Sequence, residues 1–135
     1  MAITVLVADD YLPFRVMLRH LLDAEDGVEV VGEAADGEQA VRLAAELEPD
    51  VIMLDLAMPR LDGWEAIPSL KRVAPNSRII VLSGFPEARM RDPRLRESVS
   101  RYIEKGEPQE VICSAVREVA APTRHVATLP DGRRG

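Results

Sequence analysis

Asp55 stands at the end of the apolar run Val51-Ile52-Met53-Leu54 and is followed by Leu56-Ala57-Met58-Pro59. Four apolar residues are too few for a helix and suit a strand buried on both faces, as in a parallel sheet flanked by helices. Such a strand delivers its last side chain to the carboxyl edge of the sheet, where open α/β folds bind ligands. The pattern of strand and then polar group recurs. An apolar, β-branched run over Ile3–Ala8 stops at Asp9-Asp10, a run over 78–82 stops at Ser83-Gly84, and a weaker run over 99–103 ends near Lys105-Gly106. Parallel strands would bring Asp9, Asp10, Asp55, Ser83 and Lys105 to one edge. Crowded carboxylates repel and raise at least one pKa unless a cation holds them ionised. Oxygen ligands without a nearby His or Cys cluster favour Mg²⁺, which commonly bridges carboxylates to phosphate oxygens. A hydroxyl and an ammonium opposite the metal complete a cradle for a phosphoryl group, and an aspartate can itself be the acceptor. Taken singly, Asp55 reads as a polar strand stop, Lys105 as a solvated cation and Ser83-Gly84 as a turn. Their agreement in type, strand end and order is what sets them apart.

The segments between these strands carry helical periodicity. Phe14, Met17, Leu18, Leu21 and Leu22 form one apolar stripe, with Pro13 tolerated in the first turn and Gly27 closing the segment. A short second strand is expected over 28–31. Asp36 with Gln39 has the form of a helix-start cap ahead of Ala40, Val41, Ala44 and Leu47, and Pro49 ends that helix. Asp62 and Glu65 suggest a second capping box before Trp64, Ile67, Leu70 and Val73. An interior Pro68 costs roughly 3 kcal/mol, which predicts a kink or a shortened first turn in this third helix. Pro86 could start a fourth helix, but Pro93 makes it short or irregular. Pro108 falls at a natural first helical position before Val111, Ile112, Ala115, Val116 and Val119. Five strands alternating with five helices point to βαβ crossovers and a doubly wound α/β fold with a parallel sheet.

With 135 residues, the chain is the size of one domain that buries about two-thirds of its unfolded surface. One core is expected over residues 1–121, and 122–135, which lack apolar periodicity, read as a flexible tail or linker remnant. Hydrophobic residues make up 47% and charged ones 30%, which excludes disorder and fibrous structure. A net charge of −6 argues against direct nucleic-acid binding through general electrostatics. Arg89, Arg91, Arg94, Arg96 and Arg101 nevertheless form a local basic cluster, read as a solvated face, with an acidic partner or a nucleic-acid phosphate contact as the sharper alternative. The single cysteine, Cys113, cannot form an internal disulfide, and no leader or long apolar segment is evident, so no membrane association and a cytoplasmic location are expected.

Over residues 3–120 the sequence resembles the receiver domains of two-component response regulators, typified by the bacterial chemotaxis regulator. The resemblance is carried by Asp9-Asp10, by Asp55-Leu56-Ala57-Met58-Pro59 with Asp62-Gly63, by Leu82-Ser83-Gly84 and by Tyr102-Ile103-Glu104-Lys105. It implies a flavodoxin-like five-stranded sheet of order 2-1-3-4-5 with five flanking helices. It also implies that Asp55 is the phosphoacceptor and that Asp10, Asp55 and the Ala57 backbone carbonyl bind Mg²⁺, with Asp9 in support. Ser83 and Lys105 would bind phosphoryl oxygens, and Ser83 with Tyr102 would form a switch. The implied partner is a histidine kinase or phosphotransfer protein. The implied reporter is the face of the fourth helix, fifth strand and fifth helix, through which a homodimer is one allowed arrangement. The output partner or domain is left open, and the chemistry is self-phosphorylation and self-dephosphorylation rather than enzymatic turnover.

The sequence departs from the family pattern on the output side. Arg96-Glu97-Ser98-Val99-Ser100-Arg101 replaces the small residues that usually precede the tyrosine, and Lys105-Gly106 replaces the usual lysine-proline step. The alternative is therefore a degenerate receiver acting as a phosphorylation-independent interaction module. A metal-dependent phosphatase or nucleotide-binding α/β enzyme is disfavoured because no aspartate lies two positions after Asp55 and no glycine-rich phosphate loop is present.

Overall fold

A computed structural model of the chain describes residues 2–84 and 96–121. The elements run β1 (Ile3–Ala8), α1 (Leu12–Asp23), β2 (Val28–Ala34), α2 (Gly37–Leu47), β3 (Val51–Leu54), α3 (Gly63–Val73), β4 (Arg78–Ser83), β5 (Arg101–Glu104) and α4 (Gln109–Ala120). The fourth helix expected from sequence falls mainly on residues 85–95, which lie outside the described residues, as do the tail 122–135 and Arg89, Arg91 and Arg94. The helix expected as the fifth is therefore α4. All strand pairs are parallel, and the sheet order is β2-β1-β3-β4-β5. This is the doubly wound, flavodoxin-like arrangement expected from the resemblance.

Alternation along the strands divides the interior into two layers, because successive side chains of a strand point to opposite faces. Leu6, Ala8, Ile52, Leu54, Ile79 and Val81 face α2 and α3 through Ala40, Ala44, Ala66, Ile67 and Leu70. Val5, Val7, Val51, Met53, Ile80 and Leu82 face α1 and α4 through Leu18, Leu22, Ile112, Ala115 and Val116. All residues of β3 are buried, as a central strand covered on both sides requires.

Several boundaries differ from those read in the sequence. β2 extends past residue 31 to Ala34, because a bulge lets Gly32, Glu33 and Ala34 pair with Leu6, Val7 and Ala8. The hydrophobic pattern breaks at Gly32, which hides this extension. β4 includes Ser83, and β5 begins at Arg101 rather than at residue 99. α3 runs unbroken from Gly63 through Pro68, and its first turn is not shortened. The reason is the full capping box: the Asp62 side chain accepts from Glu65 N–H at 2.9 Å, and Asp62 N–H donates to Glu65 Oε1 at 3.2 Å. Proline in the second turn forfeits one backbone donor only, and Pro68 lies on the exposed side of the helix. Pro108 occupies the capping position before α4 rather than its first helical residue, which its extended ψ of 149 makes plain.

Candidate functional site

The carboxyl ends of β1 and β3 are neighbours, so the residues that follow them converge. Asp9 follows β1 directly, and its backbone N–H donates to the Ala34 carbonyl at 3.0 Å. Asp55 follows β3 and donates its N–H to the Ala8 carbonyl at 2.9 Å. One carboxylate oxygen from each of Asp9, Asp10 and Asp55 lies within 4.8 Å of the others. Asp9 and Asp55 are buried and Asp10 is exposed, so the cluster opens toward solvent on one side.

Each group has a distinct anchor. Asp9 Oδ1 accepts from Tyr11 N–H at 2.9 Å, and its carbonyl accepts from the Arg15 guanidinium at 2.6 Å. Arg15 is held in turn by Glu33 on β2, at 2.9 Å, which ties α1 to the sheet beside the acidic pair. Asp55 Oδ1 accepts from Ala57 N–H at 3.2 Å. Lys105, one residue beyond β5, reaches across with Nζ 2.9 Å from Asp9 Oδ2 and 3.5 Å from Asp55 Oδ2. Its ammonium also lies 4.5 Å from the centre of the Phe14 ring. Lys105 N–H donates to the Ser83 carbonyl at 2.8 Å, so the ends of β4 and β5 are locked together at the site.

Burial pushes the Asp55 carboxyl up to about 6, with repulsion from Asp9 adding to it; Lys105 and the Ala57 N–H oppose this only in part. Dehydration works against the Lys105 ammonium, but the hydrogen bond to Asp9 and the charges of Asp55 and Asp9 outweigh it and raise its pKa. One internal ammonium thus leaves the negative charge incompletely balanced. A set of oxygen donors with uncompensated charge fits a hard divalent cation such as Mg²⁺.

Ser83, the last residue of β4, is fully buried. Tyr102 on β5 pairs in register with Val81 and is half-buried against the layer beneath α2 and α3. Ala57 is exposed in the loop after Asp55. The structure therefore brings Asp9, Asp10, Asp55 and Lys105 together, sets Ser83 beside Lys105 through the backbone, and places Tyr102 on the neighbouring strand. Sequence reading missed Phe14 and Arg15 as supports of the site. Phe14 was visible as a stripe residue, and its place one helical turn after Asp10 is the signal that could have singled it out. Arg15 lies next to it.

The model of the response regulator receiver domain matches residues 5–117. The transcriptional regulatory protein LiaR of Bacillus subtilis (strain 168) is 39% identical over 115 residues, which cover 85% of this chain and 54% of LiaR. The response regulator GacA of Pseudomonas aeruginosa is 34% identical over 125 residues, covering 93% of this chain and 58% of GacA. Among solved structures, the response regulator domain of Thermotoga maritima CheB superposes with a TM-score of 0.80 at 31% identity, covering 89% of this chain and 97% of that one. The chain belongs to the response regulator receiver domain family and is a receiver domain of two-component signalling. It spans about half the length of the curated relatives it matches. Among the described residues, no helix is long and apolar enough to cross a membrane.

Proposed function

We propose that Asp55 accepts a phosphoryl group from a histidine kinase or phosphotransfer protein. A carboxylate oxygen of Asp55 bonds to phosphorus as the P–N bond of a phosphohistidine breaks, and the departing imidazole takes up a proton. The observation that carries this reading is the setting of Asp55: a buried carboxylate at the sheet edge, grouped with Asp9 and Asp10 and 3.5 Å from the Lys105 ammonium. Asp10 and Asp55, with the Ala57 carbonyl and Asp9 in support, would hold Mg²⁺, which when bound supplies charge neutralisation for the phosphoryl oxygens. Lys105 is placed to pair with one phosphoryl oxygen and Ser83 to hydrogen-bond another. A shift at Ser83 would be relayed to Tyr102 and the face of β5 and α4, a two-state response to a local charge event. The chain acts on its own aspartate rather than turning over a separate substrate. A cytoplasmic location accords with a kinase partner, and transcriptional control is the output that the name of LiaR suggests.

Intact mass after incubation with Mg²⁺ and acetyl phosphate tests this. One added phosphoryl group is expected, abolished by Asp55→Asn and by a chelator. No addition to the native chain would leave a phosphorylation-independent module as the better reading.

A further inference from the structure

Asp36 is 2% exposed, and both of its carboxylate oxygens are engaged. Oδ1 accepts from Gln39 N–H at 2.8 Å and so caps α2, while Oδ2 accepts from Arg60 Nε–H at 3.0 Å. Arg60 lies in the loop between β3 and α3 and has φ 64, a left-handed conformation. For a residue other than glycine, that conformation is strained. The Arg60 side chain is 64% exposed, so packing does little to hold it there. The ion pair with a buried carboxylate is the interaction that offsets the strain.

Two close approaches fix the same loop. A Cβ at Gly37, the first residue of α2, would stand 1.9 Å from the Leu61 carbonyl oxygen. A Cβ at Gly63, the first residue of α3, would stand 2.2 Å from the carbonyl oxygen of Asp55 itself. The α2 terminus therefore presses on the loop at Leu61 and hooks it at Arg60, while Gly63 N–H closes its far end on the Leu56 carbonyl at 2.9 Å. Ala57 lies between these anchors, with its N–H on Asp55 Oδ1.

We propose that the Asp36–Arg60 pair is a positioning device for the phosphoacceptor, holding the loop 56–61 so that Ala57 and the Asp55 carboxylate keep their relative placement. The proposal rests on Asp55 being the acceptor and on the cation site beside it. Neither Asp36 nor Arg60 touches the reacting atoms; both act through the loop. The Gln39 N–H, and then Arg60, hold the Asp36 carboxyl below the usual carboxylate range, so the charged pair survives into acid pH.

Arg60→Gly removes the pair and the strain together, and Asp36→Asn keeps the α2 cap while removing the charge. Arg60→Gly should melt close to the native chain, and Asp36→Asn, which leaves the strained Arg60 without its partner, should melt lower yet stay folded at the titration temperature. A calorimetric Mg²⁺ titration should show affinity roughly tenfold weaker, the low end of what losses just outside a metal's ligand shell cost. Phosphoryl uptake from acetyl phosphate should slow in parallel, with Arg60→Lys restoring part of both. Because the two residues act as one unit, the double variant should be no worse than either single. The proposal is overturned if both single variants keep Mg²⁺ affinity and uptake within about twofold of native, or if the two effects multiply in the double variant. Should the native chain take no phosphoryl group, the functional reading fails, and the Mg²⁺ titration still decides the role of the pair by itself.

Discussion

Lys105 is held from three sides, by Asp9 at 2.9 Å, by Asp55 at 3.5 Å and by the face of Phe14 at 4.5 Å. The carboxylates supply charge, but both are also groups that a divalent cation would engage, and only the ring is free of that competition. A half-dehydrated ammonium over an aromatic face gains about 1 kcal/mol. Phe14→Leu keeps apolar volume and removes the ring's negative face. Phosphoryl uptake by Asp55 should then slow roughly fivefold, the equivalent of about 1 kcal/mol, with Phe14→Tyr close to native. Equal rates in the Leu and Tyr variants would show that the ring only packs. The charged members of the site were legible in the sequence because each sits at a strand end, where the side-chain type stands out against an apolar run. Phe14 was not, since a helix stripe looks the same whether its residues face a core or a half-buried lysine. Arg60 was hidden for a different reason: its conformation, not its type, is what matters.

At the scale of elements, helix starts were the most readable features, because a cap is a short-range hydrogen-bond pattern with fixed spacing. Asp36 accepts from Gln39 N–H, and the Asp62–Glu65 box is complete in both directions. The same cap explains why the penalty expected at Pro68 did not shorten α3. Asp62→Ala should cost about 1 kcal/mol of stability. In a urea titration this appears as a lower midpoint at unchanged slope. A markedly altered slope would mean that the loop after Asp55 loosens along with the helix, since Gly63 packs directly on Asp55. Strand ends were less legible. The extension of β2 depends on a bulge opposite Val5 and Leu6, a matter of pairing between strands that no single stretch of sequence encodes. β5 is a short edge strand, and its start at Arg101 follows from register with Ile80.

Over the whole molecule, the layered fold follows from alternation in the central strands, whereas the sheet order rested on resemblance, because periodicity does not say which strands are neighbours. That order has an electrostatic consequence beyond the site. It sets β1 beside β3 and so forces Asp9 and Asp55 into one buried space, at a cost to stability whenever Asp55 is ionised without a metal. The Asp55 carboxyl is raised to about 6 by burial, with Asp9 facing it and Lys105 compensating in part. The folded state therefore holds a proton that the unfolded chain has already released, and stability falls as pH rises from about 4 to 6. Glu33 has the opposite sign. Its hydrogen bond from Arg19, helped by Arg15, lowers its pKa, so its contribution is present at neutral pH and is lost as pH falls below the ordinary carboxylate range. The two trends together leave the metal-free chain more stable near pH 4, at the start of the Asp55 window, than at neutrality, by on the order of 1–3 kcal/mol. Denaturant titrations across pH in the presence of chelator check this. Asp55→Asn should lift the neutral side of the profile and leave the acid side unchanged, and Mg²⁺ should lift the neutral side of the native chain by mass action. A metal-free profile that rises steadily to pH 7, and to which Asp55→Asn adds nothing, would mean that Lys105 alone neutralises the site, and the charge argument for a divalent cation would lose its basis.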